Sequence, residues 1–471
     1  MNSELYNKII EIVGEEYVTD SEFEKIFYSR DVFPISPKMQ EELGAAPDII
    51  ARPTTSEHVS RIVKLAAEYM IPIVPRGGAS WWLGGSVPYK GGIVLDLTSM
   101  NNIIEVDEDN MTVTAECGVT WKEVEDILKR KSFFLGTRPG SAASATVGGW
   151  ISTGGVGIGS YKYGSVGDLV RSLEVVLPNG EIIETGNKNL ANNGSGYNLN
   201  WLFVGAEGTL GIITKATLKM IPKPEEGPFH VSYAFPDIHS CSEAIKKIVT
   251  SRILPYHFAF GDKKHFELLA SMGRPMPKGD IVLCVALEGE KGIIDFGMRK
   301  LDELLISAGG GIKSCDGKSH DECEDCTIEF RGREVAVYPV PGEIFVGLEK
   351  FSEAMFKVYK LMDDMKLKAG IIGSMVDRRT VMIMPYYLQE KEEEYDFMEF
   401  HKQLGELALS VGGRRVGLGL YFSSNLLQIH DEGSVAMMRA IKTGLDPKNI
   451  LNPGKTVGGV EPIKSENSKK G

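Results

Sequence analysis

The sequence predicts an α+β protein of more than one domain, and three observations carry that reading. Its 471 residues exceed what one hydrophobic core ordinarily serves, so two or three domains are expected. Before Pro222, short strand-like runs are separated by two glycine-dense segments. Beyond Pro222, Pro224 and Pro228, apolar strands alternate with long amphipathic helices, which is an α+β pattern. Proline cannot continue a central strand, so these three prolines mark a boundary. An apolar content of 42% and a charged content of 25% are those of a soluble globular chain. No run approaches 18 apolar residues, so no membrane span is predicted. A net charge of −12 argues against nucleic acid as a partner. The opening MNSELYNKIIEIVGEEY lacks the basic and apolar regions of a signal peptide, so a cytoplasmic location is expected.

The elements follow in order. Residues 4–14 and 21–27 carry helical patterning, and 31–53 reads as loop. Val59, Ile62, Val63 and Ala66 recur at helical spacing within Glu57–Tyr69, and IPIVP then forms a short strand. The first glycine run leads into the strands GIVLDL and MTVTAECG. Val119–Lys131 is an amphipathic helix with Thr120 at its N-cap. After the second glycine run, LVRSLEVVLPNGEIIETG reads strand–turn–strand around Asn179-Gly180, and TLGIITKATLKMIP closes the block. In the next region the strands HVSYAFP, DIVLCVALEG and VMIMPYY alternate with the helices CSEAIKKIVTS, IDFGMRKLDELLISAG and FSEAMFKVYKLMDDMK. The stretch VAMMRAIKTGLDPKNILNPGK is a helix with a proline- and glycine-rich ending.

The two glycine runs carry the chemistry. Residues 74–85 read VPRGGASWWLGG and residues 139–157 read PGSAASATVGGWISTGGVG. Glycine allows positive φ and close approach to a ligand, and successive backbone N–H groups form anion-holding nests. Two such loops about sixty residues apart suit one extended, doubly phosphorylated cofactor. GxxxxGK[ST] is absent, so a nucleoside-triphosphate P-loop is not expected. Gly155-Val156-Gly157-Ile158-Gly159 is followed by Tyr161 and Lys162, unlike a dinucleotide-binding helix start. Glycine-rich surface loops without a ligand are the alternative.

Six cysteines are present. Cys117, Cys241 and Cys284 sit singly in apolar contexts and are expected to be buried thiols. Cys315, His320, Cys323 and Cys326 form C-x4-H-x2-C-x2-C, which suits a tetrahedral zinc or other metal site; metal-free surface thiols are the alternative.

The ordered series PRGGAS, GIVLDLTSMNNI, TVTAECGVTWKEVEDIL, ATVGGWISTGG, KYGSVGDLV, FVGAEGTLGIITKATL and LDPKNILNPGK resembles the FAD-linked oxidases of the vanillyl-alcohol-oxidase fold. The closest branch is that of glycolate oxidase flavoprotein subunits and FAD-dependent D-lactate dehydrogenases. The resemblance implies a two-lobed PCMH-type FAD-binding domain with an inserted α+β cap domain. It places the first part of the FAD-binding domain at 1–225, the cap and substrate domain at 226–413, and a segment returning to the FAD site at 414–471. The first loop, with Pro75, Arg76, Gly77, Gly78, Ala79, Ser80, Gly84 and Gly85, would wrap the FAD pyrophosphate. The second, with Pro139, Gly140, Ser141, Ala145, Thr146, Gly148, Gly149, Ser152 and Gly155, would run along the pyrophosphate, ribityl chain and flavin. Glu207, Gly208, Gly211 and Ile212 match a segment beside the adenosine half. Asn452 and Lys455 match residues near the flavin ring, where a cation favours the anionic reduced form. Ala79 and Ser80 stand where covalently flavinylated relatives have histidine, so noncovalent FAD is implied. Trp81 and Trp82 replace small residues, either as apolar filler or as an indole facing substrate.

For the substrate, the resemblance implies a small 2-hydroxy acid of the D-lactate or glycolate type, oxidised by hydride transfer. Phe330-x-x-Arg333-Glu334 resembles the cap motif whose arginine grips a carboxylate. The histidines of metal-using relatives are missing: the equivalent stretches are GSMVDRRTVMIMPYY and Arg414-Arg415-Val416. Three readings follow. A dehydrogenase could use Tyr386, Tyr387 or Tyr421 as base, with Arg378, Arg379, Arg414 and Arg415 binding the anion. A flavoprotein acting on a phenolic or other alcohol is the second. A flavin electron-transfer subunit of a larger complex is the third. No NAD site is visible, so the acceptor is expected to be a protein, such as an iron–sulfur or electron-transfer flavoprotein partner, or a quinone or oxygen. An oligomer or multi-subunit assembly is expected.

Overall fold

The computed structural model describes residues 3–33, 41, 43, 45–190, 194–271, 273, 276–307, 311–315, 338–389 and 397–458. The chain divides into two units. The first takes its described residues from Met1–Gly157, Ser165–Lys223 and Gly417–Lys464; the second takes them from Ile158–Gly164 and Pro224–Val416.

The first unit has two lobes, each built on its own sheet. One sheet orders its strands Val18–Thr19, Ile49–Ala51, Ile93–Asp96 and Ile73–Arg76, the last three parallel. The helices Ser3–Val13 and Ser56–Tyr69 bury Ile9, Val59, Ile62, Val63 and Ala66 against it. Thr55 caps the second helix by accepting from His58 N, and Met70 ends it in the left-handed region. The segment 450–452 joins this sheet: Ile73 N donates to Ile450 O at 2.7 Å, and Asn452 N donates to Ile73 O at 2.7 Å. Ile49–Ala51 lies within the stretch expected to be loop. With only three residues its burial comes from both neighbours, which no local pattern reveals.

The other lobe is a five-stranded antiparallel sheet ordered Ile103–Asp107, Thr112–Glu116, Ile212–Lys219, Val170–Val176 and Ile182–Gly186. Val170–Val176 and Ile182–Gly186 are joined through Asn179-Gly180, with Gly180 at φ 79°. The helix Trp121–Arg130 begins with a capping box between Thr120 and Glu123. Its Val124 and Leu128 are fully buried, each contributing about 1.5–3 kcal/mol. The second glycine run holds a helix, Val147–Thr153, where loop was expected. Thr146 caps it, Trp150 and Ile151 anchor it, and Gly154 at φ 65° ends it. Two glycines at its start hide this pattern.

The second unit is a nine-stranded sheet among the described residues. Its order is Ile312–Cys315, Glu226–Phe235, Ile281–Gly289, His257–Asp262, Ala369–Met375, Thr380–Gln389, Ile344–Gly347 and Arg414–Arg415, with Tyr338–Pro341 also paired to Thr380–Gln389. The helices Ile238–Thr250, Phe351–Asp364 and Phe397–Ser410 pack on one face over Phe258, Phe260, Ile371 and Ile383. The other face carries Ile372, Met384, Tyr386 and Leu388, with Leu268 of the helix Lys263–Ser271 against them. Cys117 and Cys241 are buried, but Cys284 is partly exposed because alternation points it to this second face. His320, Cys323 and Cys326 lie outside the described residues, and Cys315 ends a strand. Among the described residues no group of three His, Cys, Asp or Glu is placed to hold a metal, so zinc gains no support.

Candidate cofactor site

The two glycine loops meet. Ile73–Arg76 runs into Gly77, where an added Cβ would collide with Thr146 Oγ1, and into Gly78, where it would collide with the Ser144 carbonyl oxygen. Ser80 Oγ lies 3.3 Å from Ser141 Oγ. Ala79 takes φ 48°, a left-handed conformation that a non-glycine residue adopts only under constraint. The glycines therefore serve loop-to-loop closure. Gly148 is held over Cys117, its N–H donating to Cys117 O at 2.9 Å. Gly149 N donates to Thr146 Oγ1, and Gly155 leaves room for the Trp150 indole. Pro139 and Gly140 begin the turn, Ser141 O accepts from Ala145 N at 2.8 Å, and Ser152 O accepts from Glu207 N at 2.8 Å. Gly208 closes onto Pro75, while Gly211 and Ile212 pack into the second lobe beside Val175 and Phe203.

Arg76 turns inward. Its Nη1 donates to Arg30 O at 2.9 Å, and its guanidinium sits 5.1 Å from the Tyr28 ring. Trp81 covers Gly417 and Trp82 is buried.

A buried polar cluster joins these loops to the 417–455 segment. Asn452 Nδ2 donates to Gly85 O at 2.9 Å and to Glu207 O at 2.6 Å. That bond unites two residues which the resemblance sets beside different halves of FAD. Glu207, at φ 51°, accepts from Gly419 N through Oε1 at 3.2 Å. Lys455 is 1% exposed and its Nζ donates to Val87 O. Asp31 accepts from Gly84 N at 2.7 Å and from Phe33 N at 2.9 Å. Tyr421 lies against Gly84 and Phe33. Burial pushes Glu207 up to about 7 and Asp31 up to about 6, although Lys455 and Arg76 respectively oppose it. Burial pushes Lys455 down to about 7 against the pull of Glu207 and Asp31. Tyr421 is raised well above its usual value by burial, which argues against it as a base.

Glu207 Oε2, Asn452 Oδ1 and Tyr421 OH are buried without hydrogen-bond partners. Buried polar atoms are seldom left unpaired, so three in one cluster mark the place for a ligand rich in donors and acceptors. Asp31, Gly417 and Gly419 belong to this site and carry no motif; the glycine pair in VGLGLY was the one available signal.

Among the described residues singled out for chemistry, Arg378, Tyr386 and Arg415 do not converge. Arg378 Nη1 donates to Val249 O at 2.6 Å, at the end of the helix Ile238–Thr250. Tyr386 OH lies 2.8 Å from His265 Nδ1. Arg415 pairs with Ile344 and lies on the opposite face, packed on Gly405 of the helix Phe397–Ser410. Burial pushes it down to about 10. Arg333 lies outside the described residues.

Comparison with known proteins matches this arrangement. Residues 47–186 match the FAD binding domain, and residues 230–456 match the C-terminal domain of FAD linked oxidases. Glycolate oxidase subunit GlcD of Bacillus subtilis is 30% identical over 467 residues, 97% of each chain. D-lactate dehydrogenase of Archaeoglobus fulgidus is 31% identical over 439 residues, 90% of this chain and 95% of that one. Two solved structures share the fold. p-Cresol methylhydroxylase with substrate bound has a TM-score of 0.82 at 19% identity, covering 97% of this chain and 96% of its own. An alkyldihydroxyacetonephosphate synthase has a TM-score of 0.75 at 24% identity, covering 97% of this chain and 85% of its own. Among the described residues no helix is long and apolar enough to cross a membrane. With an FAD-binding domain, a matching oxidase domain and full-length similarity to both relatives, this chain belongs to the FAD-linked oxidases and is an FAD-dependent oxidoreductase.

Proposed function

We propose that the chain oxidises a small 2-hydroxy acid of the D-lactate or glycolate class with noncovalently bound FAD. Full-length similarity to a glycolate oxidase subunit and a D-lactate dehydrogenase carries this reading. FAD supplies the hydride acceptor for the substrate carbon. The chain's own residues bind and orient it. Gly77–Gly85 and Pro139–Thr146 line the phosphate-bearing part, while Glu207, Tyr421, Asn452 and Lys455 meet its polar groups. We assign the substrate carboxylate to Arg333, since a guanidinium binds a carboxylate through two hydrogen bonds. Electrons leave to a protein or quinone, and an iron–sulfur subunit is a fitting partner.

The test is anaerobic mixing of the FAD-loaded chain with a panel of D-2-hydroxy acids. Bleaching of the flavin absorbance by at least one acid is expected. Bleaching by 4-alkylphenols alone, or by nothing in the panel, would reject the assignment. Arg333→Ala should raise KM roughly tenfold or more, the size of a lost charge-assisted pair. Unchanged KM and kcat would remove Arg333 from the site.

A further inference from the structure

Lys455 has hydrogen-bonding capacity that its described surroundings do not use. Its side chain is buried, and a protonated Nζ carries three N–H donors. The Val87 carbonyl accepts one of them. The charges acting on it are Glu207 and Asp31; Asp31 in turn faces Arg76, and Tyr421 faces Asp31. Close by, Glu207 Oε2, Asn452 Oδ1 and Tyr421 OH lack partners. In this setting a neutral amine is less costly to bury than an ammonium. A ligand that brings oxygen acceptors reverses the balance, because each new acceptor stabilises only the charged form. FAD is such a ligand, with phosphate oxygens, ring carbonyls and ribityl hydroxyls.

We propose that Lys455 takes up a proton from solvent when FAD binds, and that Glu207 is the positioning residue that holds the resulting ammonium in place. The inference rests on FAD occupying this cradle. One N–H bond forms at Nζ, the buffer loses the proton, and no electron moves.

Calorimetric titration of the cofactor-free full chain with FAD at about pH 8, in phosphate and in Tris, reads the proton number from the difference in buffer ionisation heat. Wild type should take up close to one proton per FAD. Lys455→Arg stays charged throughout and should bind FAD with none. FAD affinity of the wild type should weaken as pH rises above about 7, approaching tenfold per pH unit, whereas that of Lys455→Arg should stay flat. Glu207→Gln should move the uptake window to lower pH, and Glu207→Asp should largely restore it. FAD binding without measurable proton uptake, or equal uptake by Lys455→Arg, overturns the inference alone. A chain that binds no FAD overturns the cofactor assignment with it. The wild-type pH series decides the matter even should the variants not fold.

Discussion

Glu207 combines a left-handed backbone, a buried carboxyl and one unpaired oxygen. Its folded-state pKa is raised from 4.5 to about 7, so the protonated form favours the fold. Stability is therefore fully present below the unfolded value and is lost as pH rises from about 4.5 to 7. Lys455 acts in the other window: its lowered value removes stability as pH falls from 10.5 towards 7. In the cofactor-free protein, Glu207→Gln should abolish a loss on the order of 3 kcal/mol between pH 4.5 and 7, read by urea unfolding at each pH. Parallel pH curves for variant and wild type would contradict this. The sequence did show Glu207 and Asn452 through GAEGTLGIIT and NPGK. Asp31 stayed hidden because a carboxylate in a loop is ordinary until Gly84 is seen to donate to it. Arg378 and Tyr386 read as candidates for chemistry; in the structure Arg378 Nη1 donates to Val249 O and Tyr386 OH lies beside His265 Nδ1.

Among the elements, the glycines separate into those that packing requires and those it does not. Gly78→Ala would drive a Cβ into the Ser144 carbonyl oxygen, which belongs to backbone and cannot swing aside. The loops must then part, and a loss of about 1–3 kcal/mol together with FAD retention is expected from thermal melts and flavin absorbance. Gly444 lies in the helix Glu432–Leu445 with nothing near its added Cβ. Gly444→Ala should instead stabilise by up to about 1 kcal/mol and leave flavin content unchanged. Local signals served well where an element closes on itself, as in the capping box of Thr120 and Glu123. They failed for Val147–Thr153, whose helix is anchored by contacts to Cys117 and Val119 from elsewhere in the chain. The opposite faces of Tyr386 and Arg415 follow from strand register, which their spacing alone does not reveal.

At the scale of the molecule, the first unit is drawn together from distant stretches, and Asp446 is the knot. It accepts from Ile450 N at 3.1 Å and Leu451 N at 2.9 Å, and it pairs with buried Lys442 at 2.5 Å. Lys442 also donates to Thr209 O at 2.8 Å and Leu451 O at 3.0 Å. Asp446→Ala leaves that ammonium buried without its counter-charge, so a loss of about 3–5 kcal/mol is expected by chemical denaturation, with release of FAD. The order of motifs made the cofactor domain legible. How residues 450–452 enter the sheet was not, because pairing beside Ile73 depends on partners hundreds of positions away. That pairing has a consequence for biosynthesis. During translation, the glycine loops have no Asn452 or Lys455 to close against until residues 452–455 have left the ribosome. On the proposed cofactor assignment, flavin capture should wait for that segment, and a chain cut before Asn452 should not retain the yellow colour of FAD.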